Sequence, residues 1–238
     1  LTAPLLDKIG LDATHVFASS DRRLVMYPCR AGSLLNVAGI HPSDVMARTE
    51  YSSWLDSGNL EDMLATYRDF CPELQEMCRQ AEDVKLWSLA SRQPPPTFVK
   101  GKLALLGDAA HPTLPRKSVP DPHVNAMLIS KDQGQGGAQS IEDGAALGAI
   151  FAPDTTPAQV PQLLEMYNKT RYDHSITVMI MSQKPNERRE EMLDELRRYV
   201  PDAQIPTDMI AFTWSSDPAA RARRLLATRL SEHTGTRL

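Results

Sequence analysis

Two short runs hold the residues best suited to chemistry. Gly107-Asp108-Ala109-Ala110-His111-Pro112 sets a carboxylate among small residues, and Gly134-Gln135-Gly136-Gly137-Ala138-Gln139-Ser140-Ile141-Glu142-Asp143 opens on glycines. An ionised carboxylate only accepts hydrogen bonds, so Asp108 suits the hydroxyls of a sugar or polyol. The small residues after it let another molecule approach the backbone. Glycines at a helix start expose amide N–H groups backed by the positive end of the helix dipole, which can hold a phosphate or a delocalised anion. Gly101 to Asp108 reads as a buried strand ending in that carboxylate. In open α/β sheets such a strand end faces the crevice that binds ligands.

Other reactive side chains have competing readings. His111 reads as a catalytic base or as a structural member of its turn. Glu142 and Asp143 read as an acid–base pair or as carboxylates favoured by the dipole in a first helical turn, the second being preferred. Of Met26 and Tyr27, strand alternation lets one face inward, and Tyr27 is the candidate for a substrate pocket. Arg22, Arg23 and Arg30 read as solvated rather than as anchors for an acidic substrate. Cys71 and Cys78 read as core packing. The histidines show no HExxH spacing and no GxSxG is present, so neither a metal site nor hydrolase chemistry is expected.

The elements that must position these residues follow from local pattern. Thr14–Phe17, Arg23–Tyr27 and Ser33–Ile40 read as strands of an antiparallel meander, with polar turns between them. Asn59 caps a helix whose Leu60, Met63, Leu64 and Tyr67 form one stripe, and Pro72 opens another. Val84–Leu89 reads as a strand and Pro94-Pro95-Pro96 as an extended connector. Helices are expected over Ala138–Phe151, from Pro157 to about Gln183, over Glu187–Tyr199, and after a cap at Asp217. Arg116 to Asp132 has no periodicity and interrupts what should be a short connection.

Composition sets the outer bounds. The 238 residues are 42% hydrophobic and 24% charged, as in an ordinary globular protein. A net charge of -4 gives no reason to expect nucleic-acid binding. No apolar run approaches the roughly 20 residues of a membrane span. The three cysteines lack a CxxC pair, which suits a cytoplasmic or other intracellular setting. Leu1 in place of Met points to a truncated, processed or incomplete start.

The run Gly107–Pro112, taken with Gly136-Gly137-Ala138, resembles the group A FAD-dependent aromatic monooxygenases, the para-hydroxybenzoate and salicylate hydroxylase family. Asp21–Pro28, Gly32–Val37, Val84–Leu89 and Tyr167–Arg171 are similar to other parts of that family, and the likeness weakens after about residue 185. The resemblance implies an α+β or α/β fold: a partial, Rossmann-like FAD-binding domain, a mixed-sheet substrate domain and C-terminal helices. The implied divisions are 1–100, 101–152 and 153–238. It also implies that Asp108 holds the ribityl chain of FAD, and that Pro112 and Pro115 lie beside the isoalloxazine ring. Gly136, Gly137 and Ala138 would offer N–H groups to its N1–C2=O edge, steadying the negative charge of reduced flavin. The family's reaction needs no catalytic side chain. NAD(P)H reduces FAD, O2 adds at the flavin C4a, and the hydroperoxide delivers OH to a small, electron-rich aromatic substrate.

Two departures qualify that expectation. The family opens with a GxGxxG segment for the ADP half of FAD, and these 238 residues contain no GxGxxG. The chain therefore reads as a C-terminal portion that does not hold FAD by itself, with exposed sheet edges that favour a homodimer. Residues 116–132 read either as translated intron or as a lineage-specific loop. Two further readings of the whole stay open: a non-hydroxylating flavoprotein of this fold, such as a halogenase or reductase, and a non-catalytic remnant.

Overall fold

Strand alternation and short polar turns build the first part of the fold. In the computed structural model, which describes residues 10, 13–42, 58–87, 92–113, 135–183 and 188–235, the chain divides into two compact units. The described part of the first runs to residue 87 and that of the second begins at residue 92.

In the first unit, β1 (His15–Ala18), β2 (Arg23–Cys29) and β3 (Leu34–Ile40) form an antiparallel sheet in the order β1-β2-β3. The register pairs Val16 with Val25 and Met26 with Val37. Leu24 and Met26 on β2 are fully buried, whereas Tyr27 is 39% exposed, so alternation turns Met26 to the core and Tyr27 outward. Two helices supply the other side of this core, α1 (Leu60–Thr66) and α2 (Pro72–Arg79). The Asn59 side chain caps α1 by accepting the Glu61 N–H at 2.8 Å, and Pro72 opens α2. Tyr67, Phe70, Leu74, Met77 and Cys78 pack with Leu24 and Met26. Gly39 is required on β3, because a Cβ there would lie 2.5 Å from the Tyr67 hydroxyl.

Several local expectations are corrected. Cys78 is buried but Cys71, just outside α2, is exposed, because it precedes the amphipathic stripe rather than joining it. Arg23 is buried rather than solvated, since β2 is the central strand of its sheet. Val84–Leu89 is not a strand over its described residues: Lys85 makes an isolated bridge and Trp87 is exposed.

The second unit begins with a small hairpin, β4 (Val99–Lys100) and β5 (Leu103–Ala104). Gly101 turns it, with φ +60°. The buried strand expected over Gly101–Asp108 is therefore only two residues long, and Leu103 is 58% exposed. The cause is pairing: among the described residues β5 has β4 alone as a neighbour. Helices make the bulk of the unit: α3 (Gln135–Ile150), α4 (Val160–Gln183), α5 (Arg189–Arg197), α6 (Met209–Trp214) and α7 (Pro218–Gly235). α3 packs on both α4 and α7. The short α6 was not expected from its pattern, although Asp208 caps it by accepting the Ala211 N–H at 2.9 Å. α4 grips the hairpin directly. Asn168 Oδ1 accepts the Phe98 N–H at 2.8 Å, and the Tyr167 hydroxyl donates to the Leu105 carbonyl at 3.0 Å. No helix among the described residues is long and apolar enough to cross a membrane.

Candidate functional site

Behind β5 the chain enters a 3-10 turn, Gly107–Ala109. Gly107 adopts φ +54°, a left-handed conformation that costs other residues about 1–2 kcal/mol. A Cβ at Gly107 would also lie 2.6 Å from Ser140 Oγ on α3. Both facts make glycine the residue for this position. The turn closes on itself, with the Ala110 and His111 N–H groups donating to the Gly107 carbonyl at 2.9 and 2.8 Å. Arg92 adds an outer brace, donating to the carbonyls of Ala109 and Ala110.

Asp108 is exposed at this turn, and its carboxylate has no hydrogen-bond partner among the described residues. It lies beside the start of α3: a Cβ on Gly136 would be 3.6 Å from Asp108 Oδ1 and 3.3 Å from Thr113 Oγ1. Helix α3 begins at Gln135, three residues before the expected Ala138, so Gly136, Gly137 and Ala138 all fall in its first turn. The first four N–H groups of a helix have no partner within it. A Cβ on Gly137 would meet nothing within 4 Å, so that residue fronts open space. The turn and the helix start thus bring an acceptor and several donors together. Pro112 is half-buried beside them. Pro115, Gly134 and residues 116–132 lie outside the described residues. Tyr27 belongs to the first unit and presents an exposed face there.

The reading of Glu142 and Asp143 as first-turn carboxylates is corrected. They lie in the middle of α3, and Asp143 is fully buried. With Gln139, Ala146 and Ile150 they follow the i, i+3, i+4 rule along the face turned to α4. Arg171 of α4 is fully buried against them. Its Nε donates to Asp143 Oδ1 at 2.8 Å, one terminal nitrogen pairs with Glu142, and the other donates to Gln139 Oε1 at 2.7 Å. Asp143 Oδ2 accepts both the Gly107 N–H at 2.9 Å and His111 Nε2 at 2.8 Å. Burial alone would raise the Asp143 pKa, but the hydrogen bonds from His111 and Gly107, with Arg171 alongside, hold it below the usual carboxylate range. An ionised carboxylate only accepts, which places a proton on His111 Nε2. The ring's Nδ1 is sealed from solvent and has no partner among the described residues. This geometry favours the structural reading of His111 over a base that must reach a substrate. The acid–base reading of Glu142 and Asp143 finds no support either, since both are engaged by Arg171. The signal for this cluster was in the sequence: polar Gln139 and Asp143 share a helical face with Ala146 and Ile150.

No family model matches the chain. Among curated proteins it is 30% identical over 206 residues to the FAD-dependent monooxygenase phomE of Diaporthe leptostromiformis, covering 86% of this chain and 49% of that protein. It is 24% identical over 179 residues to 3-hydroxybenzoate 6-hydroxylase of Polaromonas naphthalenivorans (strain CJ2), covering 75% of this chain and 39% of the relative. The chain is similar over most of its length to proteins named FAD-dependent monooxygenases. A solved salicylate hydroxylase substrate complex superposes with a TM-score of 0.54 at 21% identity, over 90% of this chain and 49% of that one. The chain thus has the mixed α and β fold of that hydroxylase and spans half or less of the length of these monooxygenases.

Proposed function

We propose that this chain supplies the ribityl and pyrimidine-edge side of the flavin site in an FAD-dependent monooxygenase. The enzyme hydroxylates a small aromatic substrate with O2, and NAD(P)H is the reductant. The carrying observation is the exposed Asp108 carboxylate beside the first turn of α3, where a Cβ on Gly136 would stand in van der Waals contact with Asp108 Oδ1 at 3.6 Å. These residues fit FAD. Asp108 accepts from ribityl hydroxyls, while Gly136, Gly137 and Ala138 donate N–H groups toward the N1–C2=O edge. The positive end of α3 favours negative charge there, which eases reduction. By the family resemblance, Pro112 and Pro115 are assigned to the ring's surroundings. Tyr27 is assigned to aromatic substrate contact. FAD, when bound, supplies the redox chemistry with O2, and the chain contributes position and electrostatics rather than a nucleophile.

The 238 residues by themselves bind FAD weakly or not at all, because they contain no GxGxxG for the ADP half. Titrating FAD into the purified chain, followed by gel filtration, should leave no flavin with the protein; a retained flavin band overturns this part. Sequencing the transcript across codons 116–132 decides between a retained intron and a true loop. The protein translated from the complete transcript should then retain FAD and consume NAD(P)H when aromatic compounds are added. Its product should carry one atom from isotope-labelled O2. A halogenated or merely reduced product, or no flavin in the complete protein, would sink the hydroxylase reading. Asp108→Ala should abolish flavin retention in that protein without unfolding it.

A further inference from the structure

The cofactor reading above uses Asp108 and the helix start but gives no task to the buried charges behind them. We propose that Asp143 is a positioning residue: its carboxylate fixes the backbone of the 107–111 turn and thereby the direction of the Asp108 side chain. The flavin reading enters only in what Asp108 is aimed at.

The geometry is that of a clamp. One oxygen, Oδ2, accepts from the first residue of the turn through the Gly107 N–H at 2.9 Å and from the last through His111 Nε2 at 2.8 Å. Asp108 lies between those two fixed points. The other oxygen, Oδ1, is held from the opposite side by Arg171 Nε at 2.8 Å. Three donors from three places in the chain therefore define the carboxylate plane. Asp143 sits on α3, the helix whose first turn faces Asp108, so a single rigid element carries both the amide donors and the clamp on the acceptor's turn. Among the described residues the Gly107 N–H has no backbone acceptor, and the Asp143 carboxylate takes it instead.

Asparagine cannot replace this carboxylate. It keeps one acceptor oxygen, and its NH2 group must face either Arg171 or the Gly107 and His111 donors, leaving a buried donor opposed to a donor. Glu142 is a suitable control. It pairs with the same Arg171 and accepts from Ser216 at 3.1 Å, yet makes no hydrogen bond to the turn among the described residues.

The test uses nuclear magnetic resonance on the isotope-labelled full chain without flavin, so its outcome is independent of cofactor binding. In the wild type, the Gly107 amide should be protected from solvent exchange and show a scalar coupling across the hydrogen bond to the Asp143 carboxyl carbon. In Asp143→Asn, exchange at Gly107 should rise by about tenfold or more and the Asp108 carboxyl carbon should shift. Glu142→Gln should lower stability but leave both signals in place. Unchanged Gly107 and Asp108 signals in Asp143→Asn would overturn the proposal, as would equal changes in Glu142→Gln. If Asp143→Asn fails to fold, the wild-type measurement decides: a freely exchanging, uncoupled Gly107 amide refutes the clamp. Failure of FAD to bind the complete protein, with these signals as expected, refutes the flavin reading alone.

Discussion

His174 of α4 is almost fully buried, stacked on Phe212 at 4.5 Å between ring centroids, and its Nε2 lies 3.8 Å from Glu142. Burial first, and then the nearby Arg171, pushes its pKa down to about 4. The sign of the pH effect follows. Between the ordinary value of 6.5 and about 4, the unfolded chain binds a proton that the folded chain refuses. Stability is full above 6.5 and falls as pH drops through about 4, by about 3 kcal/mol for this group. Asp143, held low, adds acid sensitivity in the same direction. Urea unfolding at about pH 7 and about pH 4.5 should show this slope, and His174→Phe should flatten it; an unchanged slope would refute the assignment. Gly107 allows a second test at this scale. Gly107→Ala should cost about 1–3 kcal/mol, from left-handed strain and from displacing the Ser140 hydroxyl. Pairing it with Ser140→Gly should recover the steric share, and thermal melts of the single and double variants separate the two causes.

Elements in this chain are delimited by short polar caps and organised by their buried faces. Asp217 opens α7 by accepting the Ala220 N–H at 2.8 Å, and that helix packs along α3. Asp217→Ala should lower stability by about 1 kcal/mol, read as a shift in the denaturation midpoint, whereas Asp217→Asn should cost less because asparagine also caps. These caps were legible in the sequence, as at Asn59, because the donor and acceptor lie two or three residues apart. The three-strand meander was legible for a similar reason, since short polar turns join neighbouring strands. The strand before Asp108 was not. An apolar run such as Leu103–Leu106 says that a segment can be buried, but the neighbours that would bury it are set by distant chain.

At the scale of the second unit, Arg171 is the joint between α4, α3 and the turn that carries Asp108. Among the described residues it is one of the largest fully buried side chains, and its charge is matched by Glu142 and Asp143. Buried ion pairs of this kind add little net stability, yet losing one partner strands the other in a poor solvent. Arg171→Met should therefore cost about 3–5 kcal/mol in equilibrium unfolding, far more than an exposed pair such as Arg79–Glu76. A loss below about 1 kcal/mol would show that water replaces the guanidinium and that the cluster is not sealed.

The amino-acid sequence alone determined what is short-range: the glycine and aspartate of the turn, the helix starts, the meander, and the resemblance that those motifs carry. Each depends on atoms within a few residues, where covalent geometry limits the choices. The tertiary structure decided what Asp143 and His111 do. Arg171 stands 28 residues beyond Asp143, and nothing in either segment's periodicity names the other. Only the packing of α4 on α3 brings that guanidinium within 2.8 Å of the carboxylate, and only in that dry contact does a mid-helix aspartate become an anchor for the loop at Asp108.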